Sequence, residues 1–172
     1  MSRRALGLRQ GAVVVREYDT RWPREYERER AILTELLEGV VDRIEHVGST
    51  AVPGLAAKPL IDIALGFADR ALLDEGRACL LTAGYNDRGD LGEQGGVVVT
   101  KGPESDRTHI LHLVIVQSDQ WRRFVAFREA LRTTLCEKYA RLKRALLGTS
   151  RTTETRISQA KLASSNWRRS GP

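Results

Sequence analysis

Apolar positions fall into two kinds of pattern along this chain. Short dense or alternating runs at Val41–Val47, Leu60–Gly66, Val97–Lys101 and Thr108–Val116 read as β-strands, and Val13–Arg16 as a short strand or extended arm. Longer stretches repeat apolar residues every three or four positions. One starts at Trp22-Pro23, behind Asp19 or Thr20 as cap, carries Tyr26, Ile32, Leu33, Leu36 and Leu37, and stops at Gly39. A second is capped by Asp69, places Leu72, Leu73, Cys79, Leu80 and Leu81 inward, and ends at Gly84. A third starts at Ser118 or Asp119 and runs through Trp121, Phe124, Leu131, Leu135, Leu142 and Leu146; a last helix spans Thr153 to Trp167. Tyr85–Gly96, rich in Gly and Asp, reads as a turn or loop, and Gly102-Pro103 as the punctuation of a hairpin.

Strands and helices interleave without repeats or linkers, which predicts one α+β domain over 12–167: a small mixed sheet with packed helices and flexible termini at 1–11 and 168–172. At 172 residues, with 29% charged and 41% hydrophobic residues, the chain has the proportions of a soluble globular domain. There is no secretory h-region and no apolar run near the roughly 20 residues of a membrane helix, so a cytoplasmic protein without a membrane partner is expected. Cys79 and Cys136 show no metal-ligand spacing and read as buried thiols in a reducing cytoplasm. A net charge of +6, carried mostly by arginine, favours an anionic partner: a nucleotide or other phosphate-bearing molecule, with RNA a weaker expectation because no basic stripe interleaves with aromatics.

The chemistry concentrates between Glu45 and Ile63. Gly48 and Ser49 lack bulk, so backbone N–H groups can approach a phosphate there, and Ser49 and Thr50 add hydroxyls. Asp62 sits among apolar residues, where a charge is costly unless a metal, a cation or hydrogen bonds compensate it. A phosphate cradle beside such a carboxylate resembles the nucleotidyltransferase superfamily. The run from His46-Val47-Gly48-Ser49-Thr50 through Lys58-Pro59-Leu60-Ile61-Asp62-Ile63 resembles, more closely, the GrpB family signature within that superfamily. Tyr18-Asp19-Thr20-Arg21-Trp22, Arg107-Thr108-His109-Ile110-Leu111-His112-Leu113 and the segments around Phe127–Arg132 and Tyr139–Lys143 continue the likeness.

The resemblance implies a metal-dependent nucleotidyltransferase, or a catalytically degenerate nucleotide- or coenzyme-binding accessory domain with a protein partner such as dephospho-CoA kinase. In the superfamily a second acid follows two residues after the first, on the same strand face; here Ala64 stands there. A lone carboxylate holds Mg²⁺ weakly. His112 is the candidate to replace a missing acid, and with His46 and Asp62 it makes a mixed N/O set for catalysis or for a divalent metal. Mg²⁺ or Mn²⁺ is expected ahead of Zn²⁺. The phosphate-binding candidates are Gly48, Ser49, Thr50, Lys58, Arg107, Lys143 and Lys161. Arg88 and Lys101 read as surface charges able to ring an anion site, and Glu45 as a surface carboxylate.

Overall fold

The computed structural model describes residues 4–92 and 96–133. Helix α1 (Trp22–Leu36) leads into strand β1 (Arg43–Val47), a short 3₁₀ turn (Ser49–Ala51) and β2 (Ile61–Phe67). Then come α2 (Arg70–Thr82), β3 (Asn86–Asp90), β4 (Val97–Lys101), β5 (His109–Ile115) and α3 (Asp119–Thr133). The strands form one sheet in the order β1-β2-β5-β4-β3, antiparallel except for the parallel pair β2/β5. This is the expected α+β mixed sheet. Among the described residues no helix is long and apolar enough to cross a membrane.

Register fixes which residues share a face, because directly paired residues project to the same side and successive ones alternate. Ile61, Ile63, Leu65 and Phe67 of β2 lie on one face with Leu111 and Leu113 of β5 and Val97 and Val99 of β4. That face packs on α1 and α2 and is the main core, with Trp22, Leu33, Ile63, Leu65 and Leu111 fully buried. Asp62, Ala64 and Gly66 lie on the opposite face with Ile110, His112 and Val114. Helix α3 packs on that second face: an added Cβ at Gly66 would meet the Trp121 ring at 2.9 Å, and the Phe124 ring lies against His112 at 4.6 Å, tilted by 39°. Phe127 and Leu131 then close over Val52 and Leu55, just after the 3₁₀ turn.

Several local expectations change. The inward stripe of α1 is Trp22, Tyr26, Glu29 and Leu33, continuing to Leu37; Ile32 is 47% exposed. The spacing 22-26-29-33-37 follows one helical face, and only core contact reveals that a glutamate belongs to it. Arg21, not Asp19 or Thr20, is the α1 cap residue, without a side-chain cap, while Asp19 accepts from the Arg21 N–H at 2.9 Å. Asp69 does cap α2, accepting from Leu72 N at 3.0 Å; Leu81 is exposed, and Gly76 packs against Phe67. The expected loop from Tyr85 contains β3, an irregular edge strand paired to β4. Its Asn-Asp-Arg-Gly-Asp sequence carries no apolar alternation because an edge strand with neither face in the core needs none.

Residues 4–11 contact the body. Leu8 and Arg107 exchange backbone hydrogen bonds at 2.9 and 3.1 Å, and the Trp22 indole donates to Ala5 O at 3.1 Å. The arm expected at Val13–Arg16 makes a single bridge, Arg16 to Ala57. Cys79 is a half-buried free thiol. Cys136, Lys143, Lys161 and the helix expected at Thr153–Trp167 lie outside the described residues.

Candidate functional site

Strand β1 ends at Val47, and the chain must leave the sheet at once to reach the 3₁₀ turn. Gly48 makes that exit at φ 72°, ψ −168°, a conformation essentially confined to glycine. Val47 pairs with Asp62, so the turn starts directly beside the carboxylate. The contact is close: a Cβ at Gly48 would lie 2.5 Å from Asp62 Oδ2 and 3.0 Å from its Cγ. Ser49 and Thr50 follow, both buried, and with Gly48 they open the turn.

Asp62 faces His112 across the parallel pair, Nε2 to Oδ1 3.7 Å, with side chains 20% and 16% exposed. His112 stands directly beside Ala64 in register, so it lies diagonal to Asp62. The alanine methyl leaves room for the imidazole to lean along the strand. Where the superfamily carries a second acid, this chain has a small residue and a neighbouring imidazole.

His46 does not join them. It pairs with Ile63, so its ring lies on the core face, stacked on Tyr26 at 4.6 Å, while Asp62 and His112 lie on the other face. The expected three-residue metal set is therefore not assembled. Among the described residues no cluster of three or more His, Cys, Asp or Glu side chains is placed to hold a metal. One carboxylate with one imidazole does not fit a paired-carboxylate two-metal centre.

What His46 does instead follows from its partners. The Thr50 hydroxyl donates to Leu60 O at 3.2 Å, and its one hydrogen is thereby used. At 3.1 Å from His46 Nε2 it must accept, so His46 carries its proton on Nε2. Histidine and threonine together fasten the turn to the entrance of β2. The Thr50 hydroxyl has no hydrogen left for a phosphate, so its contribution to an anion site is limited to the backbone N–H.

Burial drives the His46 pKa down to about 4; Asp62 opposes this, and Arg132 and Arg128 add to it. Burial also lowers His109. For His46 the unfolded chain binds the proton near pH 6.5 and the native state only near 4, so native stability falls as pH drops through that window. A loss on the order of 3 kcal/mol is expected between pH 7 and pH 4 from this residue. Urea unfolding of wild type and His46→Gln at the two pH values checks it; an unchanged acid slope in the variant would contradict the assignment.

The remaining candidates separate. Lys58 is half-buried at the entrance of β2, close in sequence to Asp62. Arg107 is bridged to the N-terminal arm through Leu8. Lys101 turns to the core face and pairs with Glu29, and Arg88 pairs with Glu104 and Thr100. Sequence reasoning missed two α3 arginines beside the turn. Arg128 donates to Glu45 at 2.7 Å and His46 O at 3.0 Å, which gives the supposed surface carboxylate a docking role; Arg132 donates to Ala51 O at 3.3 Å. Their i, i+4 spacing was visible in the sequence, but their target was not.

A glycine turn pressed against a strand carboxylate, with an imidazole on the adjacent parallel strand, coincides with the segment that carried the family likeness. Residues 12–164 match the family described as GrpB protein. The chain belongs to the GrpB family. The glutamate-rich protein GrpB of Alkalihalophilus pseudofirmus is 31% identical over 147 residues, covering 82% of this chain and 84% of that one. A UPF0157 protein of Streptomyces coelicolor is 37% identical over 132 residues, covering 76% and 68%. Among solved structures, the crystal structure of conserved protein GrpB from Enterococcus faecalis superposes with a TM-score of 0.73 at 29% identity, over 89% of this chain and 98% of that one. This GrpB-family fold is consistent with the nucleotidyltransferase superfamily at the level of architecture, and a shared fold leaves the reaction open.

Proposed function

We propose that this GrpB-family chain binds a nucleotide, or a similar phosphate-bearing small molecule, on the Gly48–Ser49 turn beside Asp62, as a nucleotidyltransferase-like site. The observation that carries the reading is the contact of Gly48 with the Asp62 carboxylate, which leaves no space for any side chain between them. Backbone N–H groups of the turn would meet the phosphate, and Lys58 at the strand entrance is the nearest candidate cation by sequence. A carboxylate next to an anion is unfavourable by itself, so the ligand is expected to enter with its own counter-cation. Ala64 favours a second reading, in which the domain binds the ligand without transferring it, as an accessory to another protein.

Metal-stripped protein titrated with ATP, CTP, GTP or UTP, each with Mg²⁺, Mn²⁺ or Zn²⁺, separates the readings. A ligand at 100-fold its Kd adds about 2.7 kcal/mol to native stability, which for a domain of this size raises Tm by roughly 5–10 °C. The expected result is such a rise in wild type that is lost in Asp62→Ala. A rise from nucleotide alone, equal in both proteins, would support binding without transfer. No rise with any combination would refute the nucleotide reading.

A further inference from the structure

We propose that Arg128 of α3 is a positioning residue for the candidate site: it clamps the entry to the Gly48–Ser49 turn and fixes the backbone that would meet a phosphate. Its effect on ligand affinity rests on the nucleotide reading above; its effect on the turn does not.

Strand β1 lies at the edge of the sheet, so backbone groups on its outer side have no neighbouring strand among the described residues. Side chains answer them instead. The Tyr26 hydroxyl donates to Ile44 O at 3.1 Å, and Arg128 Nη1 donates to His46 O at 3.0 Å. His46 stands two residues before Gly48, where the chain leaves the sheet. One helical turn further along α3, Arg132 Nη2 donates at 3.3 Å to the carbonyl of Ala51, the last residue of the 3₁₀ turn. Phe127 and Leu131, each one residue before an arginine, bury against Val52 and Leu55. One helix thus grips the chain on both sides of Gly48–Thr50, through polar and apolar pairs at i, i+4 spacing.

Arg128 is the firmer of the two arginines. Its side chain is 13% exposed; Nη1 also reaches Glu45 at 2.7 Å, and Nε reaches Glu129 at 2.8 Å. Arg132 is 44% exposed, with contacts of 3.3 and 3.4 Å. Three acceptors in fixed directions suit a planar guanidinium, and a lysine ammonium on its flexible stem cannot reproduce them. Glu45 pairs with Ala64, which pairs with His112, so it shares the sheet face of Asp62. Its bond to Arg128 therefore also keeps a second carboxylate matched beside a site meant for an anion. A backbone cradle binds phosphate only while its amides hold one geometry, and affinity falls by the fraction of time they do not.

Amide hydrogen exchange on the full chain tests the clamp in Arg128→Lys, beside Arg122→Ala, which removes an exposed arginine at the other end of α3. The N–H groups of Val52 and Leu55 donate within the turn segment, to Ser49 O and Val52 O. They should exchange about tenfold faster in Arg128→Lys, while Leu65 and Leu111 in the internal strands keep wild-type rates. A merely structural role would speed all four together through global unfolding, and a merely electrostatic one would survive the change to lysine. Glu45→Gln, which keeps an acceptor for Nη1, should speed the same two amides by less, and it carries the test if Arg128→Lys does not fold. Wild-type exchange at Val52 and Leu55, acceleration spread over the core, or an equal effect in Arg122→Ala would overturn the proposal. If ATP, CTP, GTP or UTP with Mg²⁺ raises the wild-type Tm, its Kd should rise about tenfold in Arg128→Lys. A loosened turn with unchanged affinity would refute the positioning role. If no nucleotide binds the wild type, the nucleotide reading fails and the exchange rates alone decide the clamp.

Discussion

Replacing Lys101 with methionine is expected to destabilise the fold by about 3 kcal/mol. The target is Glu29, whose carboxylate sits on the inward stripe of α1 with a side chain only 3% exposed. One oxygen accepts from Lys101 Nζ at 2.6 Å and the other from the Tyr85 hydroxyl at 2.6 Å. This polar knot joins α1 to β4 and to the start of β3. The buried phenol of Tyr85 has its pKa pushed well above the ordinary value, by burial and then by the carboxylate, so it remains a donor at any physiological pH. Removing the lysine leaves a carboxylate with one neutral donor inside the core, and breaking a buried pair in this way costs about 3–5 kcal/mol. The lower end applies because the Lys101 side chain is 38% exposed and water can follow where it leaves. Replacing the whole knot, with Glu29→Leu, Tyr85→Phe and Lys101→Met together, is expected to recover most of the loss, since no unmatched polar group then remains. Urea unfolding followed by circular dichroism measures both variants. A loss below about 1 kcal/mol for Lys101→Met would mean that the pair behaves as a solvent-screened surface bridge.

Gly48→Ala is expected to combine a stability loss of about 2–4 kcal/mol with a loss of nucleotide binding greater than tenfold. The two effects have separate causes. The φ, ψ pair of Gly48 lies in a region that costs a residue with a Cβ about 1–3 kcal/mol. The new methyl would also meet Asp62 Oδ2 at 2.5 Å and its Cβ and Cγ at 3.0 Å, so the whole of a short side chain rooted in an internal strand stands in its way. Either the turn or the carboxylate must move, and the proposed site consists of their contact. Gly48→Ala combined with Asp62→Gly relieves the collision but keeps the backbone strain, so it should regain only part of the stability and none of the binding. Wild-type stability and affinity in Gly48→Ala would show that the turn does not rest on Asp62 in solution.

His46 shows how far the site was legible. The signature placed Gly48 and Asp62 next to each other, and they are in contact, because a strand, a tight turn and a returning strand leave little freedom between them. The same signature suggested that His46 and His112 join Asp62. The two-residue period of a strand says which residues share a face within that strand, and says nothing about the register between strands. The antiparallel pairing of β1 puts His46 beside Ile63 and turns it into the core, whereas the parallel pairing of β5 sets His112 diagonal to Asp62.

By itself the sequence determined the kinds and order of the described elements other than β3, because apolar spacing, the Asp69 cap and the glycine punctuation act within a few residues of where they stand. It determined the family through one uninterrupted run, and with it the turn and the carboxylate. Tertiary structure alone decided that a polar stretch, Asn86–Asp90, becomes an edge strand, since its only requirement is the hydrogen-bonding edge that β4 offers. It decided that Glu29 is buried, because its two partners come from residues 56 and 72 positions away. It decided the face of each histidine and the target of each α3 arginine for the same reason. Register and helix docking minimise exposed apolar area and unmatched polar groups over the whole chain, and no local window of residues contains that sum.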